Sequence, residues 1–186
     1  MISNIQSKGM GMTLTIDYDF RKQIQGFNLS VNYCFQCATC TGICPVAKMT
    51  NGEFNPRKLI EASILGLKDK LIELQQPNVW YCLTCQKCVE LCPQHVELTE
   101  IFDVIKNSCV KSGKIPDAFN SQAITVLETG VALPFSDAIM KRRQKLGLDD
   151  YKTADPKEIQ TLLKGIGFDK LLRFETTETN EKKGEK

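Results

Sequence analysis

Eight of the nine cysteines fall in two runs that share one spacing. Residues 33–45 read YCFQCATCTGICP, and 48 positions later residues 81–93 read YCLTCQKCVELCP. Each run is C-x2-C-x2-C-x3-C-P, which puts four soft ligands into eleven residues and ends on proline. This is the bacterial-type iron–sulfur run. Two intervening residues let successive sulfurs reach different irons of one cubane, while loop N–H groups turn toward the cluster sulfurs and stabilise negative charge. The fourth cysteine, set off by three residues and a proline, ligates the other cluster in two-cluster proteins. That rule assigns Cys34, Cys37, Cys40 and Cys92 to one [4Fe–4S] cluster and Cys82, Cys85, Cys88 and Cys44 to a second. Zinc sites also use C-x2-C pairs, but they separate two pairs by a longer loop. A disulfide framework belongs to an oxidising compartment.

The remaining reactive side chains carry less. Cys109 falls on the apolar face of a helical pattern, where a cysteine acts as a small hydrophobe; a redox or partner-contact role is the sharper reading. His95, the sole histidine, lies two residues past Pro93. A turn or surface role is the simpler account, and a hydrogen bond that tunes a cluster is the other. KRRQK at 141–145 reads as a solvated helix face, or as a docking patch for an acidic partner. Trp80 and Tyr81 fit core packing and cluster shielding equally. No P-loop, G-x-G-x-x-G or G-x-S-x-G is present. With every ligand cysteine used, no iron is left open to substrate, so the chain is expected to carry electrons and to hold no catalytic residue.

These loops must be positioned by helices. Asn55-Pro56 opens one, with Leu59, Ile60, Ile64, Leu65 and Leu67 on one face and Gly66 as its stop. Leu71, Ile72 and Leu74 form a short turn. Leu98, Ile101, Phe102, Ile105 and Cys109 recur at helical spacing over 97–112, before Gly113. Pro116-Asp117 opens a helix carrying Phe119, Ala123, Ile124 and Leu127 that closes at Gly130. Ser136 caps SDAIMKRRQKLG, and Asp155-Pro156 starts PKEIQTLLKG. Only TLTIDYDF near the start alternates like a strand, with Leu14, Ile16, Tyr18 and Phe20 on one side. One strand makes no sheet, so it is expected to pair with a partner chain or to be a plain extended arm. The polar end, ETTETNEKKGEK, is expected to be disordered.

At 186 residues, 42% apolar and 25% charged, the chain has ordinary globular composition and can bury a core. The formal charge of +2 makes no case for nucleic acid. Two oxidised clusters with their eight thiolates would add about −4. No apolar run approaches the roughly 18 residues of a membrane span. The N-terminus lacks a signal peptide's apolar core, so the expected compartment is the cytoplasm.

Here 36 residues, 46–81, separate Pro45 from Cys82 and contain a helix. Long helical spacing between complete runs resembles the α-helical ferredoxin domain of succinate dehydrogenase and fumarate reductase iron–sulfur subunits. Those subunits place a [2Fe–2S] domain first, whereas only 33 cysteine-free residues precede Cys34. NPRKLIEASILGL between the runs and VWYCLTCQKCVELCPQHV at the second are similar to the C subunit of heterodisulfide reductase. The resemblance covers roughly residues 28–130 well and the termini poorly, and the chain is expected to be all-α, divided into an N-terminal arm (1–27), an α-helical ferredoxin domain (28–130), a helical extension (131–174) and a tail (175–186). The resemblance implies an electron relay in the cytoplasmic enzyme of methanogens. The implied donor is a flavin- and cluster-containing A subunit, and the acceptor is a catalytic B subunit that reduces the coenzyme M–coenzyme B heterodisulfide. A hydrogenase or formate dehydrogenase module is implied as well. The related reading is the equivalent subunit of a thiol-linked fumarate reductase or an anaerobic glycerol-3-phosphate dehydrogenase. Catalytic subunits of this family carry adjacent cysteines, and no Cys-Cys pair occurs in this sequence.

Overall fold

The computed structural model describes residues 15–133, 136–149 and 155–173, and it holds helices and turns but no strand among them. The chain divides into two units, 1–112 and 113–186. The polar tail at 175–186 lies outside the described residues.

The strand reading of TLTIDYDF gives way to helix. Thr13 and Leu14 lie outside the described residues, but helix α1 spans Tyr18–Phe27. Asp17 caps it by accepting the Phe20 N–H at 2.8 Å, which also holds the Asp17 carboxyl below its usual pKa. Phe20 and Ile24, one helical turn apart, are buried, whereas Ile16 and Tyr18 face solvent. The apolar period that wins is therefore four and not two, and each buried side chain contributes about 1.5–3 kcal/mol.

Two short helices follow, α2 at Thr39–Ile43 and α3 at Pro45–Met49, then α4 at Pro56–Leu65. Asn55 caps α4 by accepting the Lys58 N–H at 3.0 Å, and Pro56 sits where its missing N–H costs nothing. Gly66 ends α4 with φ +70°. A Cβ there would lie 2.6 Å from the Asp17 carbonyl oxygen, so the close approach of α1 requires glycine. Asp17 N–H donates back to the Gly66 carbonyl at 2.8 Å. Leu59 and Ile60 are fully buried, whereas Leu65, expected on the same face, is exposed in the last turn of the helix.

A single wide turn, Asp69–Glu73, buries Leu71 and Ile72. Helix α5 is short, Lys87–Glu90, and α6 runs Leu98–Lys111. All five expected apolar positions of α6 are buried. Phe102 meets Phe54 edge-on, with ring centroids 6.2 Å apart and planes at 79°. The core of the first unit thus joins α1, α4 and α6, and the cysteine loops pack against it.

In the second unit α7 spans Asp117–Thr129, α8 Asp137–Lys145 and α9 Pro156–Gly165. Gly130 ends α7 and Asp155 caps α9, as the sequence predicts. Ser136 occupies the cap of α8 but its hydroxyl makes no capping bond. Leu127 is buried while Phe119, expected beside it, is exposed.

Candidate metal centre

Each cysteine run is entered in the same way. Asn28 caps the turn Leu29–Tyr33 by accepting the Ser30 N–H, and Asn78 caps Val79–Tyr81 by accepting the Trp80 N–H. Cys34 and Cys82 then leave these turns in extended conformation. Two residues on, the backbone turns left-handed at Gln36 (φ +59°) and Thr84 (φ +52°). It does so again at Ala38 (φ +66°) and Gln86 (φ +64°). Left-handed backbone is uncommon without glycine, and its repetition at matching positions marks a concave loop. Alternating handedness of this kind turns successive N–H groups inward into an anion-binding nest. The Thr84 N–H donates to Cys82 Sγ at 3.4 Å, and the Val96 N–H to Cys92 Sγ at 3.4 Å. The third cysteines, Cys40 and Cys88, ride on α2 and α5. The fourth, Cys44 and Cys92, each donate their N–H to the carbonyl three residues back.

The structure brings Cys34, Cys37, Cys40 and Cys92 around one cavity of about 310 Å³, mouth included. Cys44, Cys82, Cys85 and Cys88 surround a second of about 360 Å³. Among the described residues no three His, Cys, Asp or Glu side chains close on a point that a single ion would occupy. The thiols are instead spread around the walls of each space. The cavity walls are exchanged between the halves as well. The cavity of Cys34 takes Val96 and Leu98, from the start of α6, whereas the cavity of Cys82 takes Phe54 and Pro56, from the start of α4. Arg57 and Thr99, the second residues of α4 and α6, complete the first and second cavities respectively. Four thiols, inward N–H groups and apolar walls make a donor set that fits a [4Fe–4S] cubane in each.

Burial governs the thiols. It pushes Cys34, Cys40 and Cys82 above the usual range and Cys88 up to about 12. Repulsion from Cys82, Cys40 and Cys44 adds to the rise at Cys88, so Cys40 of one cavity and Cys88 of the other are electrostatic neighbours. Helices α2 and α5, which carry them, pack on each other. Cys37 is exposed and its pKa is lowered by the Thr39 hydroxyl, 3.3 Å from Cys37 Sγ. Iron supplies the positive charge that converts buried thiols to thiolates. Lys106, paired with Asp103 at 3.5 Å, lowers the Cys82 thiol by its charge, and Arg57, in the wall of the first cavity, does the same to Cys34.

The other residues take simpler places. Cys109 is fully buried with its Sγ 3.9 Å from the Leu71 carbonyl, and burial raises its thiol to about 11. His95 is exposed at φ +50°, and its N–H donates to the Cys92 carbonyl, so it belongs to a turn. Trp80 packs half-buried against the core while Tyr81 is exposed. Within KRRQK four residues are exposed and Arg143 is half-buried. Arg57, Gln36 and Thr99 were not singled out from sequence, because they reach the loops only through folding.

Residues 30–96 match the model of the 4Fe-4S dicluster domain family. The chain carries two [4Fe–4S] clusters. It is 34% identical to the C subunit of the H(2):CoB-CoM heterodisulfide,ferredoxin reductase of Methanothermobacter marburgensis, covering 92% of this chain and 91% of that protein. The C 2 iron-sulfur subunit of the CoB–CoM heterodisulfide reductase of Methanocaldococcus jannaschii is 37% identical over 78% of this chain and 79% of its own length. A protein of Archaeoglobus profundus, named as like the heterodisulfide reductase C subunit, is 32% identical over 75% of this chain and 73% of its own. The similarity extends well beyond the cysteine runs, whose spacing many electron carriers share. The chain belongs to the family of heterodisulfide reductase C subunits.

Proposed function

We propose that this chain is the non-catalytic relay of a cytoplasmic heterodisulfide reductase. A flavin- and cluster-containing A subunit delivers electrons, and the catalytic B subunit takes them to reduce the coenzyme M–coenzyme B heterodisulfide. A hydrogenase or formate dehydrogenase module supplies the complex. Cleaving that disulfide to two thiols consumes two electrons and two protons. The clusters supply one-electron carriage when bound. Cys34, Cys37, Cys40 and Cys92 would hold one, and Cys44, Cys82, Cys85 and Cys88 the other.

The observation that carries this reading is the pair of four-cysteine cavities that meet at Cys40 and Cys88. Four thiols for four irons leave no coordination position for substrate. Adjacent centres suit passage. Each loop also presents exposed apolar residues beside its first cysteine. These are Tyr33 and Phe35 at Cys34, and Tyr81 and Leu83 at Cys82. Such rims suit docking by partner proteins on either side of the relay. No helix of the described residues is long and apolar enough to cross a membrane.

The test is electron flow in a complex reassembled from anaerobically purified components. The flavin and catalytic subunits together with this chain should turn over heterodisulfide. Omission of the chain should abolish the flow, while the B subunit still works with an artificial donor. Heterodisulfide reduction by this chain alone, or undiminished flow without it, would sink the proposal.

A further inference from the structure

We infer that Arg57 and Gln36 form a positioning arm that holds an N–H donor on Cys34 and thereby sets the two clusters at different reduction potentials. The inference rests on the reading that the four-cysteine cavities hold the clusters. Gln36 Nε2 donates to Cys34 Sγ at 3.4 Å, and Arg57 Nη1 donates to Gln36 Oε1 at 3.4 Å. A guanidinium only donates, so the amide oxygen must face it and the amide nitrogen must face the sulfur. Arg57 therefore decides which end of the amide Cys34 meets.

The arm is anchored from behind. Arg57 is the second residue of α4, and its N–H donates to Thr41 Oγ1 at 3.1 Å. That hydroxyl donates in turn to Asn55 Oδ1, the cap of α4, at 3.0 Å. Glu61 lies 3.7 Å from Arg57 Nη1, one turn along the helix. Gln36 itself is held at φ +59°.

The second half has no such arm. Thr84 stands where Gln36 does and reaches Cys82 Sγ only through its backbone. Thr99 stands where Arg57 does, and its hydroxyl donates to Gln86 Oε1 at 2.9 Å. Each site also has a cation acting on its first cysteine, Lys106 on Cys82 and Arg57 on Cys34, each with a carboxylate beside it. Beside the Thr39 hydroxyl at Cys37 and the Val96 N–H on Cys92, the first site carries an arginine-held side-chain amide on a ligand sulfur, and among the described residues the second site shows none. A donor to sulfur stabilises the added electron, so the cluster of Cys34 gains potential from the arm.

The test is a redox titration followed by electron paramagnetic resonance on the full, anaerobically prepared chain. Gln36→Leu should lower one of the two potentials and leave the other unchanged. The expected size is up to a tenfold change in the reduced-to-oxidised ratio, about 59 mV for one electron. Arg57→Gln should lower the same potential, and Arg57→Lys should restore part of it. Arg57→Lys combined with Gln36→Leu should match Gln36→Leu alone, since the charge is kept and the positioning acts through the amide. Gln36→Asn, shorter by one methylene, withdraws the donor with little change of polarity and serves where Gln36→Leu loses iron. Unchanged potentials in a variant that retains about eight irons, the content of two cubanes, would overturn the arm while leaving the cavity assignment intact. So would an additive double variant. Wild-type protein without two reducible cubanes would instead overturn the cavity assignment itself.

Discussion

Cys92 lines a cavity whose other thiols lie more than fifty residues earlier in the chain, and this makes crossed ligation testable by pairing substitutions. Each cavity offers four thiols to four irons, so wild-type protein should contain about eight irons. Cys92→Ser leaves one iron of one cluster without a protein thiolate. That cluster should become a three-iron form or be lost, giving about seven or about four irons per chain. The count alone does not say which cluster suffers, but double variants do. Cys92→Ser with Cys37→Ser strikes one cavity twice and should retain about four irons and one reducible cubane. Cys92→Ser with Cys85→Ser strikes both cavities and should leave neither cubane intact. The reciprocal set should behave alike: Cys44→Ser with Cys85→Ser spares one cluster, and Cys44→Ser with Cys37→Ser spares none. Iron and sulfide analysis with low-temperature electron paramagnetic resonance reads all four. Run-by-run ligation would exchange the outcomes, so an intact cubane in the Cys92, Cys85 pair would refute the reasoning outright.

Substitutions at three further positions test the frame around the cavities. Cys109→Ser should cost about 1–3 kcal/mol in thermal or denaturant unfolding, because a hydroxyl is left in a fully buried apolar site, with iron content unchanged. The Cys109 thiol titrates at about 11 in the folded chain against an ordinary 9.0. Its share of stability is therefore complete below about pH 9 and lost as pH rises through about 11, and Cys109→Ala should flatten that alkaline slope in denaturant titrations. Asn55→Ala removes the α4 cap and the acceptor of the Thr41 hydroxyl together, and should lower stability by about 0.5–2 kcal/mol and speed cluster loss in air. Gly66→Ala forces a side chain against the Asp17 carbonyl at positive φ and should cost about 1–3 kcal/mol, with faster proteolysis at α1.

What was legible in the sequence was whatever rests on local rules. Asn55-Pro56, Gly66, Gly113 and Gly130 punctuate helices because caps and left-handed stops depend on a few neighbouring residues. The buried face of α6 was readable for the same reason, since five apolar residues at helical spacing leave one solution. The start of α1 was misread because Leu14, Ile16, Tyr18 and Phe20 alternate while Phe20 and Ile24 recur at four. Only the docking of Asp17 against Gly66 selects the second pattern, and that contact is long-range. Leu65 and Phe119 show the other limit, since periodicity assigns a face but not where neighbouring packing ends. Arg57 and Gln36 are 21 residues apart, and no spacing rule joins a helix's second residue to a loop amide.

The exchange between the halves extends beyond the ligands, and this changes what holds the loops in place. If only Cys44 and Cys92 crossed, losing a cluster would release both halves. Val96 and Leu98 also cross to the first cavity, and Phe54 and Pro56 to the second. Val96, Leu98 and Phe54 are each at most 2% exposed and belong to the same core as Leu59, Ile101 and Phe102. The start of each helix is thereby fixed over the other half's loop by burial alone, with about 1.5–3 kcal/mol for each large side chain. The loops' left-handed residues and the N–H groups they aim inward are then supported from both sides before iron arrives. The crossing of Cys44 and Cys92 between the cavities is then a consequence of two halves interlocked by their apolar walls, and the packing of α2 on α5, which carry Cys40 and Cys88, follows from the same interlock.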